Sequence, residues 1–400
     1  MNSRLASLQP YPFEKLAKLI EGVTPPKDKP PIRLSIGEPQ HAAPAFVLEA
    51  LTKNLSGLSR YPVTKGSIEL RRALASWINR RYGLDAAPLD PECNVIPVAG
   101  TREALFSIAQ AVIDRRTHSG PVVISPNPFY QIYEGAALLA GAQLTFLNTV
   151  ADNGYRMDFE SVPRETWQRT QLVYLCSPGN PTGKVMSYDD FEEIIVLSQQ
   201  YGFVIASDEC YSELYFDEGH PPGGLLGAAC ELGIKDYRNC LVFNSLSKRS
   251  NLPGLRSGFV AGDAEVLERF VQYRTYHGCA LPPPTQAASI AAWNDETHVR
   301  ANRDQYRAKF EAVLPILAPV LDVQRPQAGF FLWAGTPLDD EAFTRGLYAR
   351  ENVLVLPGSY LSREADGINP GAGRVRMALV ASLEECAQAA QRIRNYVESL

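Results

Sequence analysis

Four short apolar segments, each bounded by turn-forming residues, constrain the fold of this chain more than any other feature. They are PVVIS (121–125), QLVYLC (171–176), GFVIAS (202–207) and CLVFNS (240–245), and helical patterns such as DDFEEIIVLSQQYG lie between some of them. Apolar runs that alternate with helices are typical of strands buried on both faces of a parallel sheet. The sequence therefore predicts an α/β domain with a mainly parallel sheet.

The C-terminal part of the chain indicates a second, smaller α+β domain. After about residue 290, a long charged helical stretch leads into the apolar segments GFFLWAG and VLVLPG. The last helix begins with a capping box formed by Ser382 and Glu385. A chain of 400 residues is long enough for two cores. We expect residues 45–290 to form the large domain, and residues 1–44 and 291–400 to form an N-terminal arm and the small domain.

Charge and composition exclude several classes of protein. The formal net charge of −5 leaves no basic excess for nucleic acid or an anionic membrane surface. No apolar run is long enough to span a bilayer, and the N-terminus lacks the apolar segment of a signal peptide. The seven cysteines are scattered without a CxxC pair, which indicates a reduced compartment and no structural zinc. We expect a cytoplasmic globular enzyme.

The segment NSLSKRSNLPGLRSG (244–258) holds the first candidate site residues. Lys248 follows an apolar strand, where α/β enzymes place reactive groups, and partial burial there would lower the pKa of its amine and favour Schiff-base formation. Ser245 and Ser247 could donate hydrogen bonds to a phosphate, and Arg256 could bind it with two nitrogens. The alternative for Lys248 is an ordinary surface lysine.

Two further segments follow predicted strands. In CSPGNPTG (176–183), the Asn180 side chain could donate to a ligand oxygen, although the segment could also be only a tight turn. In SDECY (207–211), we expect a half-buried Asp208 that needs a donor or a cation, such as a protonated pyridine nitrogen, and Tyr211 could reach the same ligand. Alternatively, Asp208 caps the following turn.

A helix start and an aromatic residue fit the same ligand. Gly100, Thr101 and Arg102 lie at a predicted helix N-terminus, where free backbone N–H groups attract phosphate. Tyr130 could stack on a flat ring or belong to the core. Arg374 and Arg376 alternate along a short strand and share a face, so at least one could bind a carboxylate. The alternative for Arg374 is a solvated strand end.

Eight segments, in order, resemble a known family. They are LSIGEP, YPVTKGSIELRRALA, GTREALF, PNPFYQIY, SPGNPTG, SDECY, SLSKRSNLPGLRSG and RVRMALV. Together they resemble the fold-type I pyridoxal-5′-phosphate enzymes, specifically the class I aminotransferases related to aspartate aminotransferase. The resemblance covers nearly the whole chain. It implies a mainly parallel, mixed seven-stranded sheet, a smaller α+β domain, pyridoxal 5′-phosphate as cofactor, and a homodimer with shared active sites.

The resemblance also implies a role for each candidate residue. Lys248 matches the lysine that carries the cofactor and moves the substrate α-proton, and Asp208 matches the aspartate that keeps the pyridine nitrogen protonated. Arg376 matches the arginine that binds the substrate α-carboxylate. The remaining matches are Tyr211 and Asn180 at the ring oxygen, Tyr130 on the ring face, Gly100, Thr101, Arg102, Ser245, Ser247 and Arg256 at the phosphate, Tyr61 at the phosphate of the neighbouring subunit, and Gly37 in the loop that closes over the substrate.

Finer details favour one substrate. SLSKRSNLPGLRSGFVAGD, GCALPPPTQAA and LSIGEPQHAAP most resemble the proteobacterial N-succinyl-LL-diaminopimelate aminotransferases of lysine biosynthesis, which exchange the amino group with glutamate and 2-oxoglutarate. The distal succinyl carboxylate predicts a second cation, for which Lys65, Arg33 and Arg102 are candidates. The alternatives are another class I aminotransferase (aspartate, aromatic or alanine type) and a carbon–sulfur lyase. A sensor domain of a transcription regulator and an inactive relative are further alternatives.

Overall fold

A computed structural model describes residues 1–116 and 120–400. Its β-strands are β1 Ile32–Arg33, β2 Val95–Val98, β3 Val122–Asn127, β4 Gln143–Asn148, β5 Thr170–Cys176, β6 Val204–Asp208, β7 Cys240–Ser245, β8 Gly258–Gly262, β9 Phe331–Gly335, β10 Val353–Leu354, β11 Leu356–Pro357 and β12 Arg374–Ala378.

The α-helices alternate with the strands over the middle of the chain and surround the short strands near its end. They are α1 Pro12–Leu19, α2 Ala45–Lys53, α3 Ile68–Tyr82, α4 Thr101–Val112, α5 Gln131–Ala140, α6 Arg164–Trp167, α7 Tyr188–Tyr201, α8 Leu225–Glu231, α9 Leu246–Arg249, α10 Ala264–His277, α11 Pro283–Trp293, α12 Thr297–Leu317, α13 Asp340–Glu351 and α14 Leu383–Glu398.

The main sheet has seven strands in the order β2-β8-β7-β6-β5-β3-β4. The strands from β3 to β7 pair in parallel, and β8 runs antiparallel to both of its neighbours, β2 and β7. The four apolar runs of the sequence form β3, β5, β6 and β7, and every residue of β3, β6 and β7 is buried. The predicted mainly parallel, mixed seven-stranded sheet is therefore confirmed.

The order of the central strands explains why distant motifs meet. β5, β6 and β7 are adjacent and parallel, with Cys176 beside Asp208 and Asp208 beside Phe243 in the register. Their carboxyl ends therefore lie side by side at one edge of the sheet, where open α/β sheets bind ligands. The segments CSPGNPTG, SDECY and SLSK each begin at one of these ends.

Helices cover both faces of this sheet. Trp77, Phe191 and Trp293, from α3, α7 and α11, belong to the core on one face. Leu105 and Phe270, from α4 and α10, belong to the core on the other face. Loss of one such buried aromatic side chain typically costs about 3–5 kcal/mol, so these cores hold the sheet edge in place. The predicted helices at SIELRRALASWINRRYG and TREALFSIAQAVI are confirmed as α3 and α4.

A second core forms around a three-stranded antiparallel sheet in the order β11-β12-β9, which packs with α12, α13 and α14. β1 pairs with β10 and thereby joins the N-terminal segment to this core. The predicted capping box of Ser382 and Glu385 is confirmed at the start of α14. Helix α11 runs through residue 290 and packs against α2 and α3, so the division at residues 45 and 290 remains an interpretation. Within the described ranges, no helix combines the length and apolarity needed to cross a membrane.

Candidate active site

A cavity of about 550 Å³ opens at the carboxyl ends of β5, β6 and β7 and faces β12. All of the predicted site residues line it except Gly100 and Tyr61, so the fold brings together side chains that lie far apart in the sequence. The predicted residues on its wall are Gly37, Thr101, Arg102, Tyr130, Asn180, Asp208, Tyr211, Ser245, Ser247, Lys248, Arg256 and Arg376.

Lys248 projects into this cavity from the short helix α9, which begins directly after β7. Its Nζ donates a hydrogen bond to the backbone oxygen of Gly37 and lies 5.2 Å from the centre of the Phe330 ring. Burial lowers the pKa of the Lys248 amine to about 8. In the described part of the chain no carboxylate forms an ion pair with it. Part of the amine population is therefore uncharged near neutral pH, which a nucleophile or a base requires.

Asp208 ends β6 and is more deeply buried than the half-buried carboxylate expected from the sequence, with only 5% of its surface exposed. Its Oδ2 accepts a hydrogen bond of 2.8 Å from the Tyr133 hydroxyl, and its Oδ1 accepts a longer one of 3.3 Å from the Cys210 backbone. The second bond is the turn-capping contact that the alternative interpretation expects, and the role of Asp208 towards a ring nitrogen stays a prediction. Burial raises the pKa of the Asp208 carboxyl. A cationic partner, such as a protonated ring nitrogen, would lower this pKa and stabilise the carboxylate.

Tyr133 is a site residue that the sequence interpretation missed. It lies in α5, and its ring stacks on Tyr174 with the ring centres 4.5 Å apart. The Tyr174 hydroxyl in turn donates to the backbone oxygen of Leu105, which holds both rings in place. The signal was present in the segment YQIY, since residues three apart share one face of a helix.

A group of donors surrounds the start of α4. Gly100 precedes this helix with φ of +90°, a backbone conformation that favours glycine, and the missing side chain leaves room for the Arg256 guanidinium beside it. The first backbone N–H groups of α4 have no acceptor within the helix. Hydroxyl groups from three wall residues, Thr101, Ser245 and Ser247, complete the set.

These groups fit pyridoxal 5′-phosphate. Hydroxyls, helix N–H groups and the Arg256 guanidinium are all donors, as a dianionic phosphate requires. Lys248 offers an amine for the aldehyde, and Asp208 offers a buried carboxylate for the ring nitrogen. The cavity therefore holds groups suited to the phosphate, the aldehyde and the ring nitrogen of this cofactor.

Arg376 forms the opposite wall of the cavity from β12. Its two terminal nitrogens donate to Asn180 Oδ1 at 3.0 Å and to the Ser35 backbone oxygen at 2.9 Å, while its Nε is buried without a partner. The guanidinium lies 4.5 Å from the centre of the Phe331 ring. Burial lowers the pKa of Arg376 to about 10, and no carboxylate of the described residues pairs with it. Such a cation needs an anionic ligand. Arg374, by contrast, pairs with Asp322 at 3.2 Å and does not line the cavity.

Arg102 is the one of the three candidate second cations that lines the cavity. Its Nε donates to the Tyr130 hydroxyl at 2.7 Å, and an Nη donates to the Tyr11 hydroxyl at 3.4 Å. Tyr11 comes from the N-terminal arm and gave no signal in the sequence, because its contact depends on the tertiary fold. Arg33 is exposed in β1, and Lys65 is absent from the cavity wall.

Tyr61 does not reach the cavity of its own chain. Its side chain is fully exposed, and the neighbouring Leu58 and Val63 are also exposed. Its assignment to the neighbouring subunit stays a prediction.

One possible metal-ligand cluster lies apart from the cavity wall. Glu103, His277 and Cys279 place one ligand atom each within 4.8 Å of one another. The Arg274 guanidinium already pairs with Glu103. A metal ion there would face that positive charge, so the cluster is better explained as an ion pair.

Comparisons with known proteins identify the family and confirm the resemblance drawn from the sequence. Residues 29–393 match the family described as aminotransferase class I and II. The LL-diaminopimelate aminotransferase of Desulforudis audaxviator is 30% identical over 98% of this chain and 96% of its own length. The crystal structure of an aminotransferase from Neisseria meningitidis is 49% identical with a TM-score of 0.94, covering 98% of this chain and 99% of that one.

A third relative carries a more specific name. A probable N-succinyldiaminopimelate aminotransferase from Thermus thermophilus is 26% identical with a TM-score of 0.82, over 98% of this chain and 100% of that one. The chain thus belongs to the class I and II aminotransferase family, whose members use pyridoxal 5′-phosphate.

Proposed function

We propose that this enzyme exchanges the amino group between N-succinyl-LL-2,6-diaminopimelate and 2-oxoglutarate in lysine biosynthesis. The observation that carries the proposal is that two guanidinium groups, Arg376 and Arg102, line the same cavity, and neither pairs with a carboxylate of residues 1–116 or 120–400. The succinylated substrate and glutamate both carry a carboxylate beside the reacting carbon and another far from it. One pair of cations therefore serves both substrates.

Arg376 binds and orients the α-carboxylate in this proposal. Asn180 Oδ1 and the Ser35 backbone oxygen each accept a hydrogen bond from its guanidinium and hold it at the cavity wall. The loop that follows β1 packs closely against the Phe331 ring, since a Cβ at Gly37 would lie only 2.8 Å from that ring. This loop then covers the bound substrate and excludes water.

Lys248 carries the proton transfer. Bound pyridoxal phosphate supplies an electron sink that weakens the α C–H bond. The neutral Lys248 Nζ then takes the proton from the α-carbon and holds it, which a pKa of about 8 permits near neutral pH. The Gly37 backbone oxygen accepts a hydrogen bond from Nζ and thereby orients it. Asp208, held by Tyr133, would supply the negative charge for the ring nitrogen of the bound cofactor.

A specific finding favours a second candidate, the transamination of free LL-diaminopimelate, since relatives such as the Desulforudis audaxviator protein bear that name. Free diaminopimelate carries a distal ammonium, which Glu38 on the cavity wall could pair with.

The test that separates the two candidate substrates is kcat/KM for both donors with 2-oxoglutarate. We expect the succinylated donor to be at least tenfold better, as roughly one charge-assisted contact would give. A preference for the free donor would overturn the substrate and leave the enzyme class intact. Turnover without an oxo acid would instead indicate a lyase.

We also propose a homodimer in which Tyr61 completes the phosphate site of the partner subunit. Its full exposure, next to exposed Leu58 and Val63, supports this proposal. Mixed dimers of Tyr61→Ala and Lys248→Ala chains test it, because one of their two sites would combine an intact Lys248 with an intact Tyr61. We expect mixing to restore activity that neither variant has alone. Additive activities would contradict shared sites.

A further inference from the structure

A second cavity, of about 510 Å³, lies between the loop after β1, helix α12 and the start of α14. Its wall shares no residue with that of the active-site cavity. The wall consists of Gln40, His41, Ala42, Gln305, Ala308, Lys309, Val380, Ala381, Ser382, Leu383 and Glu385.

Lys309 is the unusual member of this wall. Only 2% of its surface is exposed, and its Nζ contacts two uncharged acceptors, the His41 Nε2 at 2.6 Å and the Val380 backbone oxygen at 3.3 Å. The same nitrogen lies 5.0 Å from the centre of the Tyr306 ring. Burial lowers the pKa of the ammonium group. Throughout the described ranges, no carboxylate lies within ion-pair distance of this nitrogen. A buried cation without a counterion is costly, and of the three N–H groups of the ammonium two have hydrogen-bond acceptors within the chain.

The hydrogen bonds of His41 with Asn302 and Lys309 determine which of its ring nitrogens carries the hydrogen. The Asn302 Nδ2 donates to the Lys248 backbone oxygen at 3.2 Å, so its Oδ1 is the acceptor that faces His41 Nδ1 at 2.7 Å. His41 Nδ1 therefore carries the hydrogen, and Nε2 accepts from Lys309. Burial lowers the pKa of His41, so this ring stays neutral and does not compensate the lysine charge.

Helix α14 adds a second positive feature to the same cavity. Ser382 and Leu383, on the wall, form the N-cap and first residue of this sixteen-residue helix. The dipole of a helix is positive at this end, and its first backbone N–H groups lack internal acceptors. The Ser382 hydroxyl accepts from the Glu385 N–H, so the N–H groups of Leu383 and Glu384 are the donors left for a ligand. Glu385 is the one carboxylate on the wall, and its Oε2 accepts from the Ser382 backbone at 3.1 Å as part of the capping box.

We propose that this cavity binds a small oxyanion, either a phosphate or a carboxylate, between the Lys309 ammonium and the start of α14. The buried ammonium supplies the charge, the helix start supplies backbone donors, and the volume exceeds that of one such ion with its water. The site adjoins the loop that contains Gly37, whose backbone oxygen binds Lys248, so its occupant contacts a segment that also forms the active site. This inference does not depend on the proposed substrate.

The experiment is calorimetric titration of inorganic phosphate and, separately, of malonate into the holoenzyme. Lys309→Met removes the charge while keeping a side chain of similar length, and we expect it to weaken binding at least about tenfold. Lys235→Met removes the same charge from an exposed position and should leave binding unchanged. Glu385→Gln retains an acceptor for the capping box and removes the carboxylate, so we expect binding to tighten about two- to fivefold.

The outcomes separate the ligand sources and can overturn the proposal. Binding of phosphate alone identifies a phosphate site, and binding of malonate alone identifies a carboxylate site. An anion that binds equally well to Lys309→Met and Lys235→Met lies elsewhere, for instance at Arg376, and contradicts the proposal, as does the failure of both anions to bind. The NMR signals of the His41 ring, assigned by their loss in His41→Gln, provide an independent measurement. They should shift with phosphate or malonate in the intact enzyme, and unchanged signals at saturation would also contradict the site.

Discussion

Arg376 in the active-site cavity and Arg303 in helix α12 are both buried arginines, but their surroundings differ. Arg303 donates to Glu218 through two nitrogens, at 2.8 and 2.6 Å, and these hydrogen bonds, together with one from Arg307, lower the pKa of Glu218 to about 2. Arg376 has only neutral partners, and burial lowers its own pKa to about 10. A buried arginine that is paired within the chain supports the fold. One left without a carboxylate is available to a ligand.

The largest effect is expected from Lys248→Ala. Loss of the amine removes both the point of cofactor attachment and the group that moves the α-proton, so transamination should fall by at least about a thousandfold. The fold should survive, because Lys248 pairs with no carboxylate in the described part of the chain. Steady-state rates and thermal unfolding of Lys248→Ala and of the exposed-site control Lys235→Ala check this. Turnover near the wild-type rate would refute the assignment of Lys248.

Arg376→Ala and Arg303→Ala should separate the two kinds of arginine. Arg376→Ala should raise KM about ten- to a hundredfold for the amino acid and the oxo acid alike, because both present an α-carboxylate. Arg303→Ala should lower Tm and leave both KM values close to wild type, since it breaks an ion pair away from the cavity.

Steady-state kinetics with each substrate varied in turn, together with calorimetric melting, would measure both effects. A rise in KM for one substrate only would mean that a group other than Arg376 binds the α-carboxylate of the second substrate. Equal losses of Tm and equal KM effects in the two variants would invalidate the distinction between paired and unpaired arginines.

A smaller effect is expected from Tyr133→Phe. It removes one hydrogen bond to the buried Asp208 carboxylate while keeping the ring that stacks on Tyr174. We expect kcat to fall by about tenfold and KM to stay nearly constant, because the bond acts on the charge opposite the cofactor ring and not on substrate binding. Tyr174→Phe, which leaves the bond to Asp208 intact, is the matched control. A change confined to KM would mean that Tyr133 acts elsewhere.

The smallest effect is the pH dependence of the ion pair between Arg303 and Glu218. The folded pKa of Glu218 lies near 2, below its ordinary value of 4.5, so its ionised form stabilises the folded state above that ordinary value. The contribution is lost as the pH falls from about 4.5 towards 2. Since Glu218 is partly exposed, the loss should be modest. Unfolding of wild type and Glu218→Gln across this range should converge at the acid end, and a constant difference would contradict the assigned pKa.

Sequence patterns predicted the sheet and most of the named residues that line the cavity because they report on local chemistry. Asn180, Asp208 and Lys248 each follow a buried strand, and adjacent parallel strands bring such positions together. The depth of Asp208 was underestimated, since burial depends on the helices packed above it. Tyr11 at Arg102 and His41 at Lys309 were not predictable, because these contacts join segments far apart in the chain and leave no periodic signal.

The most direct test of the proposed activity is the visible absorbance of the bound cofactor in the holoenzyme. N-succinyl-LL-diaminopimelate, glutamate and lysine are added to separate samples without an oxo acid. Because Arg376 and Arg102 offer one cation to each carboxylate, we expect the band to bleach with the first two donors, which carry a distal carboxylate. We expect no bleaching with lysine, whose distal group is a cation. Bleaching by lysine as fast as by the other two, or no band even after addition of pyridoxal phosphate, would contradict the account.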